Sequence, residues 1–223
     1  MAAQHWKPAD PAPLGLSGFA VTTFLLSGFN AGWIPFQTFL GAAAFYGGFA
    51  QLLAGMWEFA NGNVFGATAF SSYGAFWMSL FVMVNVYGAT PLFSTQLAYF
   101  LVAFLIFNSY ALVASMFTNA ALFLLFALLE VTLILDIAAN FTNNTSLAKA
   151  GGYCGIVCAS TAWYIATASL VNGTARRHIL PLGRPVIRLP KPSDDTEMNG
   201  VQQTGELTFT LPVEQRVWSA HHA

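Results

Sequence analysis

Three apolar stretches of this sequence carry polar side chains at the spacing of one helix face. A polar group buried in a membrane is costly, so such groups usually face a bundle interior or a water-filled path. A single Ser or Thr can instead bond its own helix carbonyl, which is the alternative for any one hydroxyl. Three aligned stripes favour a path for a polar solute. The stripes are Phe19, Thr23, Ser27 and Asn30; Gly47, Gln51, Gly55 and Glu58; and Leu129, Thr132, Asp136 and Asn140.

Three carboxyl groups lie inside these apolar stretches. Glu58 stands at the end of its predicted helix, where the helix dipole does not favour a negative charge, so it needs a partner or water. Asp136 lies deeper and on the polar stripe. We predict a proton relay at Glu58 and Asp136, with a hydrogen-bonded structural carboxyl as the alternative. Glu130 lies off the stripe, which favours a structural role.

The composition shows what kind of element must position these side chains. Only 8% of the residues are charged, whereas a soluble domain usually carries about 25%. Four charged residues, Glu58, Glu130, Asp136 and Lys149, stand between positions 17 and 172. The chain is therefore predicted to be an all-α integral membrane protein.

Six segments are long and apolar enough to cross a membrane, which takes about 20 residues. Pro35, the turn 61–63, Gly88 with Pro91, and the polar loop 142–146 separate several of them. The links are short, so sequential helices should be antiparallel neighbours. The predicted spans are 17–34, 36–59, 68–87, 96–117, 120–141 and 148–172.

The two flanking segments differ from this domain. Residues 1–16 are polar and contain prolines, and residues 173–223 are predicted to be a largely disordered tail. Most Lys and Arg residues stand in these flanks, so both termini should be cytoplasmic. We expect a multi-pass protein of the plasma membrane. Its Arg cluster after position 175 could also contact anionic lipid.

Motifs of soluble enzymes and of nucleic-acid binding are missing from the sequence. There is no phosphate-binding glycine loop with a Lys, no basic stripe with interleaved aromatic residues, and no His pair at metal spacing. Cys154 and Cys158 stand four apart on one helix, which indicates packing and not a disulfide. We therefore expect a protein that is not an enzyme and that needs no metal, cofactor or nucleic acid.

Several short motifs occur in the order found in one known family. The stretch 10–16, Asp-Pro-Ala-Pro-Leu-Gly-Leu, resembles the signature Asn-Pro-Ala-Pro-Leu-Gly-Leu of the acetate uptake transporter family. That family includes bacterial acetate/succinate permeases and fungal acetate and ammonia-export proteins. Asp10 replaces the signature Asn and would add a negative charge near a pore mouth. Further matches are Thr22-Thr23, Phe45-Tyr-Gly-Gly48 with Gln51 and Glu58, Gly62-Asn63-Val-Phe-Gly66, Ser72-Tyr-Gly-Ala-Phe-Trp77 and Arg177-His-Ile-Leu-Pro-Leu-Gly183.

The resemblance implies a homohexamer of six-helix subunits, each with its own pore for acetate and small monocarboxylates, and in some members succinate. It also implies a narrow apolar constriction at Phe19, Tyr73 and Leu129. Hydroxyl and amide donors would bind the carboxylate beside this ring, with the Tyr73 hydroxyl among them. The remaining predicted substrate-binding residues are Thr23, Asn30, Gln51, Thr68 and Ser71.

Three alternatives stay open at this point. The path could be a passive channel or a proton-coupled symporter. The chain could be a membrane sensor or scaffold that signals through its tail, where Ser193, Thr196 and Thr204 are candidate phosphorylation sites. Ammonium-linked export is a third reading, which the resemblance alone suggests.

Overall fold

The computed structural model of the chain describes residues 8–190. Every regular element in this range is helical, and six helical spans are long and apolar enough to cross a membrane. The predicted all-α, six-span membrane fold is thus confirmed. The spans are Ala12–Asn30, Phe36–Ala60, Val64–Tyr87, Phe93–Ser115, Ala120–Thr142 and Thr145–Ala175.

The first span, helix α1 (Ala12–Asn30), begins five residues earlier than predicted. Asp10 accepts a hydrogen bond from the backbone N–H of Ala12 through Oδ1 at 2.9 Å, which caps one free donor of the first turn. Proline is tolerated in a first helical turn, because the N–H that it lacks would have no helical partner there. The proline-containing motif therefore starts the helix instead of preceding it.

The second span (Phe36–Ala60) is not one continuous α-helix. A 3₁₀ turn (Phe36–Phe39) leads into α2 (Leu40–Ala44), a π-helical segment (Phe45–Ala50) and α3 (Gln51–Ala60). The π segment crosses α1 closely, and a Cβ added at Gly47 would collide with Thr22 Oγ1. The glycine at position 47 therefore permits the close crossing of the two spans.

The remaining spans are α4 (Val64–Tyr87), α5 (Phe93–Ser115), α6 (Ala120–Thr142) and α7 (Thr145–Ala175). The second span packs on α1 and α4, α5 packs on α4 and α6, and α7 packs on α6 and α1. Packing therefore closes a ring of six spans, with each span beside its sequence neighbours as predicted. We call the end where α1 begins and α7 ends the proximal end, and the other the distal end.

The chain beyond α7 continues as a defined segment (177–187) against the proximal ends of the helices. Leu182 accepts a hydrogen bond from the backbone N–H of Ala121, and the N–H of Ile187 donates to Met116, both at 3.0 Å. The sequence predicts disorder from position 173 onward, because four prolines interrupt regular structure. These hydrogen bonds join residues that are far apart in the sequence, so the local sequence does not reveal them.

Residues 188–190 belong to a second unit of the chain, which extends to the C-terminus. Residues 1–7 and 191–223 lie outside the described part of the chain. The predicted disordered tail and its candidate phosphorylation sites at Ser193, Thr196 and Thr204 therefore stay predictions.

Candidate functional site

A cavity of about 310 Å³ opens at the proximal end of the ring. Side chains of α1, the second span, α4, α6 and α7 line it, and Leu182 from the segment 177–187 joins them. On α1 the deepest lining residue is Phe19, on α4 it is Tyr73, and on α6 it is Leu129. The three residues of the predicted constriction therefore lie together at the inner end of one cavity.

The side chains at this inner end are closely packed. The ring centroids of Phe19 and Tyr73 are 5.7 Å apart in an edge-to-face arrangement. Phe107 and Phe126 add further edge-on and tilted contacts to the Tyr73 ring, at 5.2 and 6.3 Å. Phe19, Tyr73 and Leu129 are 5%, 5% and 7% exposed, so almost no open passage runs between them.

A second cavity, of about 530 Å³, opens at the distal end. It begins at Leu26 on α1, Leu80 on α4 and Asp136 on α6. In each helix this residue stands seven positions beyond the deepest residue of the proximal cavity. Seven residues of helix rise about 10 Å, so a closed layer of about this thickness separates the two cavities.

The closed layer contains hydroxyl groups besides aromatic rings. Thr23, a predicted donor, is buried here, and its Oγ1 has no hydrogen-bond partner among the described residues. The indole nitrogen of Trp77 is buried in the same layer and is also unpartnered within residues 8–190. A buried polar group without a partner is costly, and neither residue lines one of the two cavities.

Two of the predicted polar residues line the proximal cavity. Glu58 is fully buried in its wall and lies beside Asn61, whose Nδ2 is 3.4 Å from Glu58 Oε2. Gln51 is also buried, and its Oε1 has no partner in the described part of the chain. The Asp10 carboxyl lines the same cavity and interacts electrostatically with Glu58.

Two more of the predicted polar residues, Asn30 and Asp136, line the distal cavity. Asn30 Nδ2 donates to Asp136 Oδ1 at 3.3 Å across the gap between α1 and α6. Asn143 and Asn144 line this cavity as well. Asn144 also caps α7 by accepting from the N–H of Ser146 at 2.9 Å. The loop asparagines thus both line the distal cavity and cap a helix.

Two predicted donors lie away from both cavities. Thr68 is on the exposed outer face of α4. Ser71 packs against Gly55 of α3, where a Cβ on the glycine would collide with Ser71 Oγ. Neither residue lines either of these cavities of the described chain, and substrate contact at both stays a prediction. The start of α4 carries several hydroxyl residues, and sequence alone does not show which of its faces turns inward.

Asn108 is the main site residue that the sequence analysis missed. It is fully buried on α5, and its Oδ1 accepts a hydrogen bond from the Tyr73 hydroxyl at 2.6 Å. The hydroxyl thus donates away from the cavity, contrary to its predicted role as a substrate donor. The sequence feature that could have identified this residue is the presence of an asparagine in the middle of an apolar span.

Charged groups around the two cavities have one sign. Asp10, Glu58 and Asp136 line them, and no Lys, Arg or His among the described residues does. In the same part of the chain, no group of three or more His, Cys, Asp or Glu side chains could hold a metal ion. The chemistry of the site is therefore that of amides, hydroxyls, carboxyls and apolar rings.

Solved structures and curated relatives resemble this chain. The bacterial acetate channel SatP superposes with a TM-score of 0.76 at 34% identity, covering 79% of this chain and 100% of that one. The succinate-acetate/proton symporter SatP of Escherichia coli K12 is 35% identical, over 79% of this chain and 96% of its own length.

Fungal relatives are longer than this chain. Acetate permease A of Emericella nidulans is 38% identical over 79% of this chain and 66% of its own length. Ammonia transport outward protein 2 of Saccharomyces cerevisiae is 41% identical over 74% of this chain and 63% of its own length. The chain thus spans about two-thirds of the fungal relatives that it matches. The model of the GPR1/FUN34/yaaH family matches residues 1–190, and the chain belongs to this family.

Proposed function

We propose that this protein carries acetate and related small monocarboxylates across a membrane, through a path inside each subunit. The observation that carries the proposal is the convergence of Phe19, Tyr73 and Leu129 at the inner end of the proximal cavity, facing a second cavity about 10 Å away. Relatives named as an acetate permease, an acetate channel and a succinate-acetate symporter support the choice of substrate.

The lining of the path suits a molecule with one carboxylate and one methyl group. Amide groups of Gln51 and Asn61 in the proximal cavity and Asn30 in the distal cavity can donate to the carboxylate. Thr23 offers a hydroxyl between the cavities. The apolar ring at the constriction accepts the methyl group and would discriminate against larger acids by steric exclusion.

The carboxyl groups favour movement of the acid together with a proton. An acetate ion would meet Asp10 and Glu58 in one cavity and Asp136 in the other, and no cationic side chain from the described residues offsets their charge. Like charges repel strongly where water is excluded. Protonation of the acid removes this repulsion, and protonation of Glu58 and Asp136 leaves that of Asp10 alone, so we assign these two residues to a proton relay.

Assembly and location belong to the same proposal. The spans expose many large apolar side chains on their outer faces, including Phe45, Tyr99, Ile106 and Leu170. These faces suit lipid and the neighbouring subunits of a homohexamer. The excess of Lys and Arg in the flanks supports an orientation with both termini in the cytoplasm. Our proposal assigns the protein to the plasma membrane.

Purified protein in liposomes tests the proposal. Uptake of labelled acetate is measured with and without an inward proton gradient. We expect saturable uptake in both cases and accumulation above the outside concentration only with the gradient. Uptake that never exceeds equilibrium would identify a passive channel. No flux above that of protein-free liposomes would refute the transport function.

Ammonium-linked export is a second candidate, supported by the relative named ammonia transport outward protein 2. Carboxyl groups in both cavities would suit a cation better than an anion. The same liposomes, loaded with ammonium and followed by an external pH dye, distinguish the two. Ammonium release without acetate uptake would favour the second candidate.

A further inference from the structure

The hydroxyl of Tyr73 is held by a chain of side chains that leads away from the path. It donates to Asn108 Oδ1 at 2.6 Å. The Nδ2 of Asn108 then donates to the Phe126 carbonyl oxygen at 3.1 Å and to Glu130 Oε2 at 2.5 Å. Both hydrogens of this amide are thereby used, so only its oxygen is left to face Tyr73.

Glu130 lies outside both cavities, between α5 and α6. Its side chain is half-buried near the middle of α6. Its second oxygen, Oε1, lies 2.7 Å from the hydroxyl of Ser109, which is exposed on the outer face of α5. An ionisable group at mid-span is costly unless it is partnered, and both oxygens of Glu130 have partners. The transport path itself does not use this residue.

We propose that Glu130 is a positioning residue that sets the constriction by fixing the Asn108 amide, and through it the hydroxyl and ring of Tyr73. The inference rests on the proposed function, because the constriction matters only if a solute passes it.

With Glu130 in place, Asn108 cannot turn its NH₂ group toward Tyr73 without losing an acceptor. Tyr73 must therefore donate outward, and it presents a passing carboxylate with a ring edge but no O–H. Without the Glu130 acceptor, the Phe126 carbonyl is the one remaining acceptor that holds the NH₂ group, so rotation of the amide by half a turn to donate to Tyr73 gives up one hydrogen bond instead of two. The hydroxyl hydrogen then turns toward the cavity, and the ring loses its fixed place beside Phe19.

The first experiment measures lactate and acetate uptake by Glu130→Met and Glu130→Gln in liposomes. Met has similar length but no strong acceptor, whereas Gln keeps one. We expect the lactate-to-acetate ratio to rise by about fivefold or more in Glu130→Met, the scale set by one hydrogen bond. Glu130→Gln should keep the lactate-to-acetate ratio of the wild type. Asn108→Leu should act like Glu130→Met.

Two controls separate positioning from general damage. In the Tyr73→Phe background, where no hydroxyl remains to be directed, Glu130→Met should cause no further change in the ratio. Asn85→Leu is the matched control for Asn108→Leu, because the side-chain hydrogen bond that Asn85 makes within residues 8–190 goes to the Phe81 carbonyl of its own helix, at 2.8 Å. Equal changes in the Tyr73 and Tyr73→Phe backgrounds would overturn the proposal.

A spectroscopic test does not depend on transport. The ¹⁹F resonance of 3-fluorotyrosine placed at position 73 should shift in Glu130→Met and stay in place in Glu130→Gln. An unchanged resonance in Glu130→Met would refute the positioning role even if acetate flux is normal. Conversely, a shifted resonance in a protein without any acetate flux would refute the proposed function and leave the positioning role standing.

Discussion

Asn30 and Asp136 stand 106 positions apart in the sequence, and their side chains meet in the distal cavity. The amide nitrogen of Asn30 donates to Asp136 Oδ1 at 3.3 Å. Both residues belong to polar stripes that the sequence reveals, one on α1 and one on α6. The contact therefore links two stripes across the path and gives the Asp136 carboxyl in the distal cavity a neutral partner.

Asp136→Asn should flatten the pH dependence of acetate uptake. If Asp136 must hold a proton for acetate to pass, wild-type uptake falls as the pH rises through its titration. Asparagine imitates the neutral form and can still accept from Asn30, so uptake by the variant should persist at high pH. Initial rates in liposomes over a range of symmetrical pH values measure this effect.

Glu130→Gln is the matched comparison, because Glu130 lines neither cavity. We expect its pH profile to follow that of the wild type. Profiles that are identical for the wild type and both variants would rule out a relay through Asp136.

The fold could be predicted from composition and hydrophobic length, since few charges and six apolar runs leave few alternatives. Periodicity also placed Phe19, Gln51 and Leu129 on the faces that line the proximal cavity. It does not resolve the orientation of Thr68, which is exposed in the structure, because α4 has small or hydroxyl residues on several faces and only tertiary packing selects the inner one. The segment 177–187 depends on contacts with residues far away in the sequence, such as Met116 and Ala121, which local sequence cannot show.

Phe19→Ala and Leu129→Ala should each widen the constriction and admit larger acids. Discrimination by one methylene in an apolar pocket is worth about 1–3 kcal/mol, or roughly tenfold and more in rate. We expect uptake of propionate and lactate to rise relative to acetate by about this factor. Competition between labelled acetate and each acid in the same liposomes measures it.

Phe123→Ala provides a comparison, since Phe123 lies on the same helix as Leu129 but lines neither cavity. Its selectivity should match that of the wild type. If the constriction variants also kept the wild-type ratios, Phe19 and Leu129 would not form the size filter.

Gly152→Ala should destabilise the crossing of α7 over α1. A Cβ at this position would stand 2.5 Å from the backbone nitrogen of Ala31 and 2.6 Å from the carbonyl oxygen of Ser27. Backbone atoms cannot give way as a flexible side chain can, and overpacking of this kind costs about 1–3 kcal/mol. Thermal unfolding in detergent should show a lowered midpoint.

Gly173→Ala is the control on the same helix, because no atom of the described residues, apart from the adjacent backbone of the helix itself, lies within 4 Å of a Cβ at that position. It should leave the midpoint unchanged or raise it slightly, since alanine favours a helix over glycine by about 1 kcal/mol. Equal midpoints for the two variants would contradict the close crossing.

The segment 177–187 should be needed for the proximal mouth, and the chain beyond it should not. A protein that ends at Pro190 keeps the hydrogen bonds of Leu182 and Ile187, so acetate uptake should match that of the full chain.

Gly183→Ala should disturb the segment without truncation. Gly183 has a φ of +76°, which disfavours a side chain, and its Cβ would meet Ala120 Cβ at 2.7 Å. Because Leu182 lines the proximal cavity, we expect altered apparent affinity for acetate in this variant. Normal affinity in Gly183→Ala would show that the segment does not shape the mouth. Loss of uptake in the protein that ends at Pro190 would instead assign a transport role to the residues beyond that position.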